Sequence, residues 1–318
     1  LPAMALQRLQ SAATRSFAQG FPLGRWLAGS GVRQAAALGA FVDHVDLTQQ
    51  PLDPAAARAV RSALLRHRVI VLRHQRFDLA QAPAADSLAT SARALFGPDL
   101  QPMSQDGSKF VQLYVAEGGR RRRQNSDLFH SDLSYLSRPS SVTMLWAIEV
   151  PPGPAGDTVF VDAIAACEAL PDALRRRLEG QLARHDVRTM QGETSELNSV
   201  HPVIRPHPIS GEPAVYANPG YTSKILGDAD SDGSLLAELF EHCSEERFQM
   251  RHRYQPGDFI IWDNAAVWHR ATTLDLAAGT RRVMMRVSVL AGEARNGERW
   301  WPAADELEMH MLASSLSN

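Results

Sequence analysis

The stretch Arg282–Leu290 constrains the fold most. Val283, Met285, Val287 and Val289 alternate there with Met284, Arg286 and Ser288, a period of two that sends the two sets to opposite faces of a strand. Val142–Val150 is a second long β-rich run, cut by Pro151-Pro152-Gly153. Shorter β segments at Val69–Leu72, Phe110–Tyr114, Val203-Ile204, Ala214–Tyr216 and Asp258–Trp262 are separated by turn residues. Many short strands between Gly/Pro turns indicate a sandwich or barrel.

Helical signals lie between these runs. Asp53-Pro54 reads as an N-cap followed by proline at the first helical position, opening a helix through Arg66. A second helix is expected over Ser87–Leu95, closed by Gly97-Pro98. Asp162–Leu170, Asp172–Leu178, Leu235–Phe248 and the tail Ala304–Leu312 complete the set. Helices outside a β core make the fold class α+β. The chain carries no fixed-period repeat, and no linker splits it. Residues 39–318 therefore read as a single domain behind an N-terminal arm, residues 1–38.

A net charge of −2 gives no bulk reason to expect nucleic acid or an anionic membrane as partner. The basic run Arg120–Arg123 reads as a solvated loop. Two cysteines, Cys167 and Cys243, build neither a zinc ribbon nor a disulfide framework. No apolar run is long enough to cross a bilayer. The arm holds Arg8, Arg15, Arg25 and Arg33, with no acidic residue before Asp43. Two readings fit it: an organelle transit segment ending near Ala36, or a basic bacterial arm. The expectation is a soluble intracellular protein, in an organelle matrix under the first reading and cytoplasmic under the second.

The chemistry starts at Phe129-His130-Ser131-Asp132. On an extended chain residues i and i+2 share a side, so the imidazole of His130 and the carboxylate of Asp132 can meet one metal ion. A distant histidine would complete a 2-His-1-carboxylate face with three open positions, as in non-haem Fe(II) oxygenases. The spacing leaves His201, His207, His242, His252 and His269 as candidates for that place. The same ligand set would also serve a zinc hydrolase, or remain in a catalytically silent binding protein.

Ordered blocks along the chain narrow the choice. They are Val42–Leu47, Arg68–Gln75, Phe129–Asp132, Gly156-Asp157-Thr158, His201-Pro202-Val203, Asn218–Thr222, Trp262-Asp263-Asn264, Trp268-His269-Arg270 and Arg281–Arg286. In this order they resemble the taurine dioxygenase and 2,4-dichlorophenoxyacetate dioxygenase family of Fe(II)- and 2-oxoglutarate-dependent oxygenases, from about Gly39 to Ala291. The resemblance implies a double-stranded β-helix, or jelly-roll, core with flanking helices. It makes His269 the second imidazole ligand and His201 a structural residue. It implies Fe(II), 2-oxoglutarate and O2 as cofactors, with Arg282 and Thr158 holding the far carboxylate of 2-oxoglutarate. Arginine suits that role because its planar fork pairs with both oxygens. Ala155 stands where the family often has glycine, which can shift the Thr158 loop.

Arg286 matches the family arginine that holds an acidic group of the substrate. Tyr135 and Trp268 are candidates to line the pocket or to pack in the core. The expected partner is a small anionic molecule such as a sulfonate, sulfate ester or carboxylate, and relatives suggest a homo-oligomer. Met103–Lys109 lacks the histidine that the taurine enzyme uses there, which argues against taurine itself. Asp132 keeps the carboxylate that halogenating relatives replace, so the expected outcome is oxygenation.

Overall fold

The computed structural model describes residues 32–34, 38–77, 84–103, 107, 109–118, 127–153, 155–187, 197–227, 233–272 and 276–291. The basic run Arg120–Arg123, the tail Ala304–Leu312 and nearly all of the arm lie outside them. Fifteen strands and five α-helices follow one another among the described residues. The first half holds β1 (Val32–Gln34), β2 (Ala40–Val42), α1 (Pro54–His67), β3 (Val69–Leu72), α2 (Ala84–Phe96), β4 (Val111–Glu117) and β5 (Ser140–Glu149). Next come β6 (Thr158–Asp162), α3 (Ala163–Glu168), α4 (Asp172–Leu178), β7 (Leu182–Asp186), β8 (Asn198–Pro202), β9 (Ile204–Pro206) and β10 (Pro213–Val215). The last part holds β11 (Thr222–Ile225), α5 (Ser234–Cys243), a 3-10 turn (Glu246–Phe248), β12 (Gln249–His252), β13 (Phe259–Asp263), β14 (Val267–Ala271) and β15 (Arg281–Leu290).

Local chemistry explains several boundaries. The Asp53 carboxylate accepts from the amides of Ala55 and Ala56, and Pro54 starts α1. Arg68, in the left-handed region at φ 64°, ends that helix and turns the chain into β3. Arg61 on α1 donates to the carbonyl of Leu95, closing the last turn of α2. The expected helix Leu235–Phe248 stops at Cys243, and the chain turns through the 3-10 segment into β12. Val32–Gln34 pairs antiparallel with β2.

The strands form two facing layers. The large sheet has the order β1-β2-β3-β13-β5-β15-β4. Opposite it lie the sheets β12-β6-β14 and β11-β7-β8, with the hairpin β9-β10 beside them. The alternation along β15 settles the layering. Val287 and Val289 face α1 and α2 in one apolar cluster, whereas Met284 faces inward with Ala147, Phe160, Ile260 and Trp262. A third cluster packs Val159, Val161 and Trp268 from the second layer onto α3, α4 and α5. Burying each large apolar side chain contributes about 1.5–3 kcal/mol, so these three clusters hold the sandwich together. The result is an α+β fold on an open jelly-roll of two layers. Both cysteines are free and buried. No described helix is long and apolar enough to cross a membrane.

Candidate metal centre

The two sheets meet where β14 passes the segment before β5. His130 and His269 form an isolated antiparallel bridge, each amide donating to the other's carbonyl at 2.9 and 2.8 Å. Residues paired in this way project to the same face, and the two ring centroids lie 4.3 Å apart. Asp132, two residues beyond His130, joins them. Its Oδ1 is 3.8 Å from Nε2 of His130 and 3.7 Å from Nε2 of His269. All three residues are buried, and their ligand atoms lie within 4.8 Å of one another.

The donors suit an oxophilic, imidazole-binding divalent ion. Nδ1 of His130 sits 2.8 Å from the carbonyl of Leu128. A carbonyl only accepts, so the proton is on Nδ1 and the Nε2 lone pair faces Asp132. The ring of His269 rests against Trp262 and Phe160, at centroid distances of 4.8 and 6.1 Å. Burial pushes His269 down to about 3 and also lowers His130, so both imidazoles are in the neutral, ligating form near neutral pH. Burial pushes the Asp132 carboxyl up, but the Arg286 guanidinium, with the Thr143 hydroxyl, outweighs it and holds the group ionised, well below the usual carboxylate range. Two neutral nitrogens and one anionic oxygen facing one point fit Fe(II).

The competing histidines are engaged elsewhere. His207 Nε2 donates to Asp263 at 2.9 Å, since its Nδ1 receives the amides of Ile209 and Ser210. His242 meets the carbonyl of Ala166, His252 meets Asp258, and His201 meets the carbonyl of Leu136. Trp268 follows strand alternation away from His269. It is 1% exposed, and its Nε1 donates to the carbonyl of Val215 inside the outer cluster, so it is core and not pocket lining.

Arg282 and Arg286 share the inward face of β15. Arg282 Nη2 donates to the carbonyl of Gly156 at 2.9 Å, so the turn after Ala155 still reaches it. Its guanidinium lies 5.4 Å from the ring centroid of Tyr254, whose hydroxyl is 2.8 Å from that of Thr158. Arg282, Thr158 and Tyr254 thus form one group. The Nε of Arg282 is buried without a hydrogen-bond partner among the described residues. Arg286 Nη2 lies 2.9 Å from Asp132 Oδ1, and Nη1 donates weakly to Tyr114 at 3.4 Å. Tyr135 packs edge-on against Tyr221 at 4.9 Å, and Tyr221 packs edge-on against His130 at 5.8 Å. Tyr254, Tyr221 and Tyr114 were not among the residues singled out from sequence. Tyr221 lies inside the Asn218–Thr222 block, whereas Tyr254 had no signal at all.

A jelly-roll whose interior brings two imidazoles and one carboxylate to one point defines a non-haem metal enzyme of the 2-His-1-carboxylate class. Comparison with known proteins refines that class. Residues 28–288 match the taurine catabolism dioxygenase TauD, TfdA family. The chain is similar to the alpha-ketoglutarate-dependent 2,4-dichlorophenoxyacetate dioxygenase of Burkholderia sp. (strain RASC), 32% identical over 82% of this chain and 96% of that protein. It is also similar to the alpha-ketoglutarate-dependent sulfate ester dioxygenase of Pseudomonas putida, 30% identical over 83% of this chain and 89% of that protein. The crystal structure of a taurine dioxygenase from Burkholderia xenovorans superposes with a TM-score of 0.69 at 26% identity, covering 89% of this chain and 98% of that one. The chain belongs to the TauD/TfdA family and is a 2-oxoglutarate-dependent dioxygenase.

Proposed function

We propose that this dioxygenase oxidises, by hydroxylation, a C–H bond of a small organic anion and releases succinate and CO2. His130, Asp132 and His269 would hold the iron. Bound Fe(II) would supply the redox chemistry that couples oxidative decarboxylation of 2-oxoglutarate by O2 to oxidation of an unactivated C–H bond. The protein's own task is binding and orientation. Arg282, half-buried and without a carboxylate partner in the group it forms with Tyr254 and Thr158, would receive the far carboxylate of 2-oxoglutarate. The Thr158 hydroxyl would add a donor to the same oxygen pair. Phe160 and Trp262 keep water from the back of His269.

One observation carries the choice of an anionic substrate. Nε of Arg286 is buried without a hydrogen-bond partner among the described residues, and beside it Nη2 is ion-paired with Asp132 Oδ1 at 2.9 Å. These two atoms form the side-on fork that pairs with two oxygens of a carboxylate, sulfonate or sulfate. Tyr135 and Tyr221 stand nearby as apolar walls for the body of the substrate. The relatives named for a sulfate ester and an aryloxyacetate support the same chemistry. Succinate release should be measured with sulfonates, sulfate esters and aryloxyacetates beside uncharged analogues of equal size. Turnover confined to the anions is expected. Equal turnover of an uncharged analogue would refute the role of Arg286.

A further inference from the structure

We propose that Thr143 is a positioning residue for the metal centre, holding one oxygen of Asp132 back so that only the other faces the two imidazoles. The inference rests on the metal assignment above. Thr143 lies in the middle of the large sheet, opposite Trp262 on β13 and Ser288 on β15. Its hydroxyl is 2.7 Å from Asp132 Oδ2, the oxygen turned away from His130 and His269. Thr143, Ser288 and Asn264 are all essentially inaccessible to solvent, so water does not substitute for these contacts.

The direction of each hydrogen bond is forced. Asn264 Oδ1 receives the amide of Asp132 and the indole Nε1 of Trp262, both at 3.2 Å. Both groups are donors only, which fixes the orientation of the Asn264 amide. Its Nδ2 then faces Thr143 Oγ1 at 3.0 Å and donates to it. The ionised Asp132 carboxylate only accepts, so the single hydroxyl proton of Thr143 goes to its Oδ2, and Ser288 Oγ, at 3.1 Å, must then donate to Thr143. The carbonyl of Asn264 also receives Ser131 Oγ at 2.6 Å, so the same residue holds the loop between His130 and Asp132. A carboxylate bound in this way cannot rotate to offer both oxygens to an ion. Oδ1 would then be the one oxygen of Asp132 that an ion meets.

The test uses the full chain and Mn(II) as probe, because Mn(II) reports affinity without turnover. Free Mn(II) would be followed by electron paramagnetic resonance during titration of wild type, Thr143→Val and Thr143→Ser, with the thermal midpoint of each metal-free protein recorded in parallel. Loss of an outer partner of a metal ligand typically costs about 10–100-fold in affinity. Thr143→Val should weaken Mn(II) binding by that factor, and Thr143→Ser should restore it to within about threefold. A lowered metal-free midpoint with unchanged Mn(II) affinity in Thr143→Val would mark Thr143 as merely structural and overturn the proposal. If Thr143→Val does not fold, Asn264→Asp carries the test. It removes the donor that turns the hydroxyl, so the same direction is expected and unchanged affinity overturns the proposal. Wild type that binds no Mn(II) would instead bring down the metal assignment itself.

Discussion

Replacing Arg282 by alanine tests the co-substrate site. The guanidinium is enclosed by β15, the Gly156 turn and the Tyr254 ring. Burial lowers its affinity for a proton, offset by Tyr254 and Asp157, so it is a desolvated cation with Nε still unsatisfied. Such a group binds a carboxylate with little further desolvation. Truncating one partner of a buried, hydrogen-bonded charge pair costs about 2–5 kcal/mol. At 1.4 kcal/mol per decade, that is a loss of about 30-fold to a few thousand-fold in 2-oxoglutarate affinity. Arg282→Lys keeps the charge without the fork and should fall between alanine and wild type. The assay is succinate release against 2-oxoglutarate concentration, with metal affinity measured separately. The KM for 2-oxoglutarate should rise while metal binding holds. An unchanged KM in Arg282→Ala would refute the assignment.

His269→Ala removes one of two imidazoles that face the carboxylate, so metal binding and succinate release should both be lost; retention of stoichiometric Mn(II) binding would contradict this. Trp268→Ala should lower stability by about 3–5 kcal/mol through a core cavity while the KM for 2-oxoglutarate stays unchanged, as denaturant titration and kinetics can show. His67 and His201 are pushed by burial from 6.5 to about 4. Between those values the unfolded chain binds protons that the native state refuses. Stability is full above pH 6.5 and falls as pH drops toward 4, each group contributing a slope of about 1.4 kcal/mol per pH unit. Denaturant midpoints of metal-free protein at pH 7 and pH 5 would check this, and a higher midpoint at pH 5 would contradict it.

Features carried by local chemistry were legible in the sequence. The Asp53-Pro54 cap, the separation of the helices Asp162–Leu170 and Asp172–Leu178 by one proline, and the alternation in Arg282–Leu290 each have a cause within a few residues, and the structure reproduces all three. Thr158–Asp162 went unread as a strand because it is buried on both faces and shows no alternation. β14 went unread for a related reason: Trp268 and His269 are both buried, one in the outer core and one at the metal centre. The metal triad was legible through the ordered motif blocks, since spacing alone left five histidines open. Tyr254 was not, because it meets Thr158 across 96 residues through the β6–β12 register. Thr143, Ser288 and Asn264 likewise meet only once three strands are aligned, and no short window of sequence encodes that alignment.

The central claim is that these residues bind Fe(II) and 2-oxoglutarate together. Fe(II) and then 2-oxoglutarate should be added to the purified protein without oxygen while the visible spectrum is recorded. A weak metal-to-ligand charge-transfer band that needs both additions, and that is absent in His269→Ala, is the predicted result. No band in wild type, with tight binding of zinc instead, would contradict the account.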